Sequence, residues 1–137
     1  MQNIYRFLVE SGRCEEPAWL RDEMQKTDPG GVITKMALEH RSPLCELAHD
    51  LFVSVYGVEA GNLALKVLAT AGIFLGGGIA PKILPKLKEP AFLEAFWSKG
   101  RMSGLLKAVP IRVIVNDKTA LLGAARVAFF GVRMSVR

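Results

Sequence analysis

The chain has 137 residues, 50% hydrophobic and 23% charged, a size and balance typical of a single domain, residues 1–137, with a buried core. Its longest nearly charge-free stretch, residues 67–81, is shorter than the roughly 18–20 apolar residues of a membrane span and contains four glycines. The net charge of +5 is spread along the chain without interleaved aromatic residues, so composition argues against both a membrane segment and nucleic-acid binding.

The first 40 residues predict three short helices. Apolar residues at helical spacing indicate a helix over residues 3–9, and Gly12 suits its left-handed C-terminal cap. Pro17 marks the expected start of a second helix. Residues 27–31, Thr-Asp-Pro-Gly-Gly, predict a loop, and the third helix is expected over residues 32–39.

A longer helix is predicted to follow. Ser42 and Pro43 suit its N-cap and first position, and apolar residues at intervals of three and four continue through residue 68. Gly57 and Gly61 are the two candidate points of interruption.

Two short apolar segments, residues 73–75 and 111–115, predict buried strands. Three helical patterns lie between them, over residues 82–87, 90–97 and 102–107. A connection of this length predicts a right-handed crossover that joins parallel strands.

The last predicted helix begins near Asp117 or Thr119 and runs to about Val132. Asp117 either caps this helix or faces a ligand at the end of the second strand, and capping is the favoured interpretation. Because the helix is apolar nearly all round, it must be covered on most sides.

The glycine cluster after the first strand is the most informative local feature. Gly76, Gly77 and Gly78 would let a ligand approach backbone amides without obstruction by side chains. The cluster is no dinucleotide fingerprint, since the third glycine of GxGxxG would fall on Pro81, and it is no P-loop, since no GK[ST] follows. Local chemistry alone favours a structural turn and leaves a ligand site open.

Other chemically interesting residues have simpler interpretations. Cys45 and His49 share a helix face and could pair a thiol with a base, but helix packing is favoured because no third orienting group is apparent. Cys14 and Cys45 show no CxxC spacing, so neither a disulfide framework nor a metal site is predicted, and a cytoplasmic setting is expected. Lys99-Gly100-Arg101 is interpreted as a surface turn.

Taken in order, these segments resemble the C-terminal end of the bacterial glucokinase family, which belongs to the actin, hexokinase and Hsp70-like phosphotransferase superfamily. Residues 3–5 resemble the helix after the family's sugar-binding glutamate, and residues 61–65 the helix before its adenosine motif. Residues 73–81 resemble that motif, residues 96–101 the phenylalanine-to-KGR turn, and residues 111–123 the final strand, Asp turn and connecting helix.

The resemblance implies an α/β fold, namely the helix-rich C-terminal part of an actin/hexokinase-like (ribonuclease H-like) domain with two parallel strands. It also implies ATP, with magnesium in the full family enzyme, lying over Gly76, Gly77 and Gly78, where Gly76 stands at a position that often holds alanine in the family. The family's phosphate loops, catalytic aspartate and sugar-binding residues are expected upstream of Met1. No catalytic residue is therefore assigned here, and the chain alone is expected to be inactive.

Two functional hypotheses remain open at this stage. The chain is either the nucleotide-side part of a glucose-phosphorylating enzyme or a non-catalytic module that is stable as an oligomer; an unrelated enzyme using Cys45 and His49 has weaker support. In either case a homo-oligomer, most simply a dimer, is expected through the helix from Thr119 to Val132, because its apolar surface needs a cover.

Overall fold

The computed structural model describes residues 1–131, and within that range it contains eight α-helices and a two-stranded sheet. In chain order the elements are α1 (Gln2–Glu10), α2 (Ala18–Lys26), α3 (Pro29–Leu38), α4 (Pro43–Lys66), β1 (Ile73–Leu75), α5 (Leu84–Leu87), α6 (Pro90–Trp97), α7 (Ser103–Lys107), β2 (Ile111–Val113) and α8 (Thr119–Phe130). A short 3-10 turn, Gly100–Met102, precedes α7. The predicted helix-rich α/β architecture is confirmed.

The two strands are parallel, as the length of the crossover predicted. Ile73 aligns with Ile111 and Leu75 with Val113. The strand β2 ends two residues earlier than the predicted Val115, because its partner β1 has only three residues to pair with. One further backbone hydrogen bond, from Ile114 N to Leu75 O at 2.9 Å, continues the ladder beyond Val113.

The helix caps explain one error in the prediction. Residues 29–31 are not loop: α3 begins at Pro29, because the Asp28 carboxylate accepts a hydrogen bond from Gly31 N at 2.8 Å and proline suits the first turn. Ser42 caps α4 as predicted, accepting from Cys45 N at 3.4 Å. Gly12 adopts the predicted left-handed cap, with φ +67°.

The helix α4 runs without interruption through Gly57 and Gly61, so neither glycine breaks it. Both are buried where α6 crosses the helix. A Cβ atom at Gly61 would lie 2.5 Å from Phe96 O, and one at Gly57 would collide with Phe92 O. These glycines therefore allow two helix backbones to approach closely.

The core consists of three clusters, and α4 contributes to each of them. The first packs α1, α2 and α3 against the N-terminal half of α4 around Leu20 and Ile33. The second covers one side of the sheet through Ile83 and Phe92, and the third surrounds Phe96 beside β2. The helix α4 is thus the common support of the fold.

The helix α8 lies outside these clusters and has no buried residue. Its large apolar side chains are mostly solvent-exposed; Phe129, for example, has a relative exposure of 84%. The predicted end of this helix, Val132, lies outside the described residues. Within residues 1–131, no helix combines the length and apolar character needed to cross a membrane.

Candidate functional site

The glycine cluster forms an exposed turn that follows β1 directly. Gly77 has φ +98°, a conformation that side chains disfavour, so the turn itself requires glycine there. Gly78 has no positive φ, and a Cβ atom added to it would meet nothing within 4 Å. The fold therefore requires glycine at position 77 and not at position 78.

Two clefts meet at this turn. The first, of about 650 Å³, separates the turn from α3 and is bounded on the helix side by Gly30, Gly31, Thr34, Lys35 and Leu38. The second, of about 570 Å³, lies between the glycines and the end of β2, where Asn116, Asp117 and Thr119 contribute polar groups. Gly78 and Lys82 line both clefts.

The structure reassigns the cap of α8. The N-cap position is Lys118 and carries no side-chain cap, so the prediction that Asp117 caps the helix is wrong. Asn116 organises this turn instead: its Oδ1 accepts from Lys118 N at 2.9 Å, and its carbonyl oxygen accepts from Thr119 Oγ1 at 2.8 Å. The carboxylate of Asp117 is left exposed beside the glycine turn, and its alternative role, facing a ligand at the end of β2, stays a prediction.

Cys45 and His49 are both completely buried, where no substrate could reach them. Burial raises the pKa of the Cys45 thiol, which disfavours the nucleophilic thiolate. Burial also lowers the pKa of His49, with a further contribution from Lys86, and neither ring nitrogen has a hydrogen-bond partner among the described residues. Helix packing, the favoured interpretation, agrees with this environment.

The Lys99-Gly100-Arg101 turn is more than surface. Lys99 Nζ donates to Val58 O at 3.0 Å and to Asn62 Oδ1 at 2.7 Å, which ties the turn to α4. The ammonium group of Lys99 therefore makes its hydrogen bonds within the fold. Across residues 1–131, no group of three His, Cys, Asp or Glu side chains is placed to hold a metal ion.

Sequence reasoning found the glycine turn and missed the opposite wall of the first cleft. That wall is one side of α3, where Thr34 Oγ1 donates to Gly30 O at 2.9 Å and Lys35 is exposed. The Asp28-Pro29 pair was a usable signal for the start of this helix. Nothing in the local pattern placed the helix opposite a turn some 45 residues later in the chain.

Comparison with known proteins identifies the relationship. A family model described as Glucokinase matches residues 1–129. The glucokinase of Synechocystis sp. is 44% identical, over 89% of this chain and 38% of that protein, and that of Mesorhizobium japonicum is 43% identical, over 98% and 38%. The crystal structure of a glucokinase from an Antarctic psychrotroph superimposes with a TM-score of 0.72 at 29% identity, covering 89% of this chain and 35% of that one.

The chain thus spans little more than a third of the length of these relatives. Within that span, the family match and the structural superposition confirm the resemblance that the order of the segments indicated, including the actin/hexokinase-like fold. The chain belongs to the glucokinase family.

Proposed function

We propose that this chain forms the nucleotide-side part of an ATP-dependent glucokinase, with ATP lying over Gly76, Gly77 and Gly78. The observation that carries the proposal is Gly78, a glycine that lines both clefts and that neither backbone conformation nor packing requires. A ligand that approaches the backbone closely gives this position a reason to lack a side chain. The location supports the proposal too, because ligands of open α/β sheets bind beyond the carboxyl ends of the strands.

The two clefts suit different parts of a nucleotide. The first has apolar walls from Leu38, Ile79 and Ile83 that fit a purine ring. The second is lined by Asn116, Asp117 and Thr119, which fit a more polar group. On this proposal the base lies against α3, and the rest of the nucleotide passes over Gly78.

A Gly78→Val variant tests this site. Free space around Gly78 means that valine should leave the fold intact while filling the approach to both clefts. Backbone amide shift mapping with ATP should show weak binding centred on Gly77 and Gly78 in the unaltered chain, and at least about tenfold weaker binding in the variant.

The matched control is Gly104→Ala, since Gly104 is equally unconstrained and lies outside both clefts. It should bind ATP as the unaltered chain does. Shift changes that cluster elsewhere, or an ATP affinity that Gly78→Val leaves unchanged, would contradict the nucleotide site.

On this proposal the chain binds ATP without phosphorylating glucose by itself. The resemblance places the phosphate loops, the catalytic aspartate and the sugar-binding residues in other parts of the family enzyme.

Magnesium would accompany ATP, and no metal site is assigned to residues 1–131 because their carboxylates and histidines do not cluster. The shared use of α4 by all three core clusters supports one domain, and the free thiols of Cys14 and Cys45 fit a cytoplasmic setting.

A second candidate function is that of a non-catalytic oligomeric module. The observation in its favour is α8, whose apolar side chains are exposed on all sides. Leaving several large apolar side chains in water forgoes about 25 cal/mol per Å² of area that could be buried. Two-fold pairing with a second copy would cover the same surface on both protomers.

We expect the purified chain to sediment as a homo-oligomer, most simply a dimer, at micromolar concentration. The double substitution Phe129→Asp and Phe130→Asp places two charges on the most exposed part of α8 and should give monomer or aggregate. Phe7→Asp, at an exposed position on α1, is the control and should keep the oligomer. A monomeric unaltered chain would refute the oligomer, and an unchanged double variant would refute α8 as its interface.

A further inference from the structure

Lys82 is held at the point where the two clefts meet. Its neighbours Ala80 and Ile83 are buried in the core beside the sheet, which fixes the backbone on both sides. Its own N–H donates to Ile79 O at 3.0 Å, closing the turn formed by residues 79–82. The side chain is exposed and lines both clefts. The backbone of Lys82 is thus held in place, and its ammonium group is exposed at the rim of the candidate nucleotide site.

Lys86, four residues later, differs from Lys82 in burial and in its ion pairs. Lys86 is buried, and its ammonium is held by Asp50 and Glu89, each at 2.9 Å. Lys82 makes no ion pair with any carboxylate among residues 1–131. One lysine stabilises the contact between α4 and α5, and the other keeps its charge available for a ligand.

The carboxylates that line the clefts differ in whether another group of the fold already binds them. The Asp28 carboxylate caps α3, and Glu39 lies 3.5 Å from Arg41. Asp117 is exposed on the far side of the second cleft. Lys35 lines the first cleft only, whereas Lys82 lines both. An anion bound over Gly78 would therefore meet Lys82 at the rim that the clefts share, while Asp117 would repel it from the far side of the second cleft.

We propose that Lys82 binds the phosphate chain of the nucleotide as it passes over Gly78, an inference that rests on the nucleotide site proposed above. The chemistry is that of a flexible ammonium donating to phosphate oxygens, a common use of lysine at phosphate sites. The turn supplies close approach, the apolar cleft supplies room for the base, and Lys82 supplies the charge. It is a binding residue in this proposal and takes no part in proton transfer.

The test compares ATP with adenosine on the full 137-residue chain. Amide shift titrations would use the unaltered chain, Lys82→Ala, Lys82→Arg and the control Lys88→Ala, which removes an equal charge at an exposed residue outside both clefts. We expect Lys82→Ala to weaken ATP binding about tenfold and to leave adenosine binding unchanged. Lys82→Arg should retain most of the ATP affinity, and Lys88→Ala should bind ATP nearly as the unaltered chain does.

Each other outcome has a distinct meaning. Binding of ATP at the glycine turn that Lys82→Ala leaves unchanged would overturn the role of Lys82 and keep the nucleotide site. An equal loss for adenosine and ATP, or an equal loss in Lys88→Ala, would also overturn it, because the effect would then not come from phosphate contact at this position. Failure of the unaltered chain to bind ATP at millimolar concentration would overturn the proposed site and the role of Lys82 together.

Discussion

A Gly61→Ala variant is expected to lose about 2 kcal/mol of unfolding free energy, although alanine favours helix over glycine by up to about 1 kcal/mol. The added Cβ would lie 2.5 Å from Phe96 O, well inside contact distance. That oxygen belongs to the backbone of α6 and cannot rotate away as a side chain would. Relief requires α6 to move off α4, which would disturb the packing of the buried Phe96.

Urea unfolding followed by circular dichroism measures this loss. Gly57→Ala should be similarly destabilised, since its Cβ would collide with Phe92 O one turn earlier. The double variant should lose less than the sum, because one displacement of α6 relieves both collisions. Gly104→Ala, where the new Cβ meets nothing within 4 Å, should match the unaltered chain or exceed it. Wild-type stability in Gly61→Ala would contradict the close crossing of α4 and α6.

These two glycines also show where sequence reasoning fell short. In isolation a glycine inside a helical pattern lowers the expected stability of the helix, so an interruption at Gly57 or Gly61 was a fair expectation. The reason for glycine lies in α6, about 35 residues further along the chain. A contact so distant in sequence leaves no local pattern, because periodicity records which face is buried and not how closely the partner approaches.

The strands and their connection were predictable because the signals were local and agreed with one another. Residues 73–75 lie between glycines, residues 111–115 are rich in β-branched side chains, and the helical patterns between them require a crossover. The pairing of Ile73 with Ile111 confirms the parallel arrangement. The end of β2 was misplaced, because the length of a strand depends on how many residues its partner offers for pairing. Two connecting helices also begin later than predicted, at Leu84 and Ser103.

The candidate site was predictable on one side only. The glycine turn was evident from composition, whereas the distinct roles of Gly77 and Gly78 depend on a backbone angle and on empty space. Asn116 and Asp117 are both reasonable turn formers in sequence, and only the geometry shows that Asn116 makes the turn while Asp117 faces the cleft. Local chemistry identifies candidates, and tertiary placement decides among them.

The purified 137-residue chain is expected to form no glucose 6-phosphate from glucose and MgATP. Phosphoryl transfer depends on positioning both substrates, on a base for the attacking hydroxyl and on cations at the developing charge, and the resemblance assigns these groups to other parts of the family enzyme. Positioning and charge stabilisation each contribute several orders of magnitude, so the rate should fall by at least about 10⁵-fold relative to an intact glucokinase. A coupled assay that detects glucose 6-phosphate measures this, with the Synechocystis glucokinase as the positive control.

Residual activity must be separated from a contaminating host enzyme, and Gly78→Val provides that control. Activity from a contaminant would be the same in preparations of the unaltered chain and of the variant, whereas activity of the chain itself would depend on the nucleotide cleft that valine fills. Turnover that survives repurification and is lost in Gly78→Val would show that residues 1–137 phosphorylate glucose unaided. Catalytic groups would then have to be sought among the side chains at the rim of the clefts, beginning with Asp117, because its exposed carboxylate could act as the base.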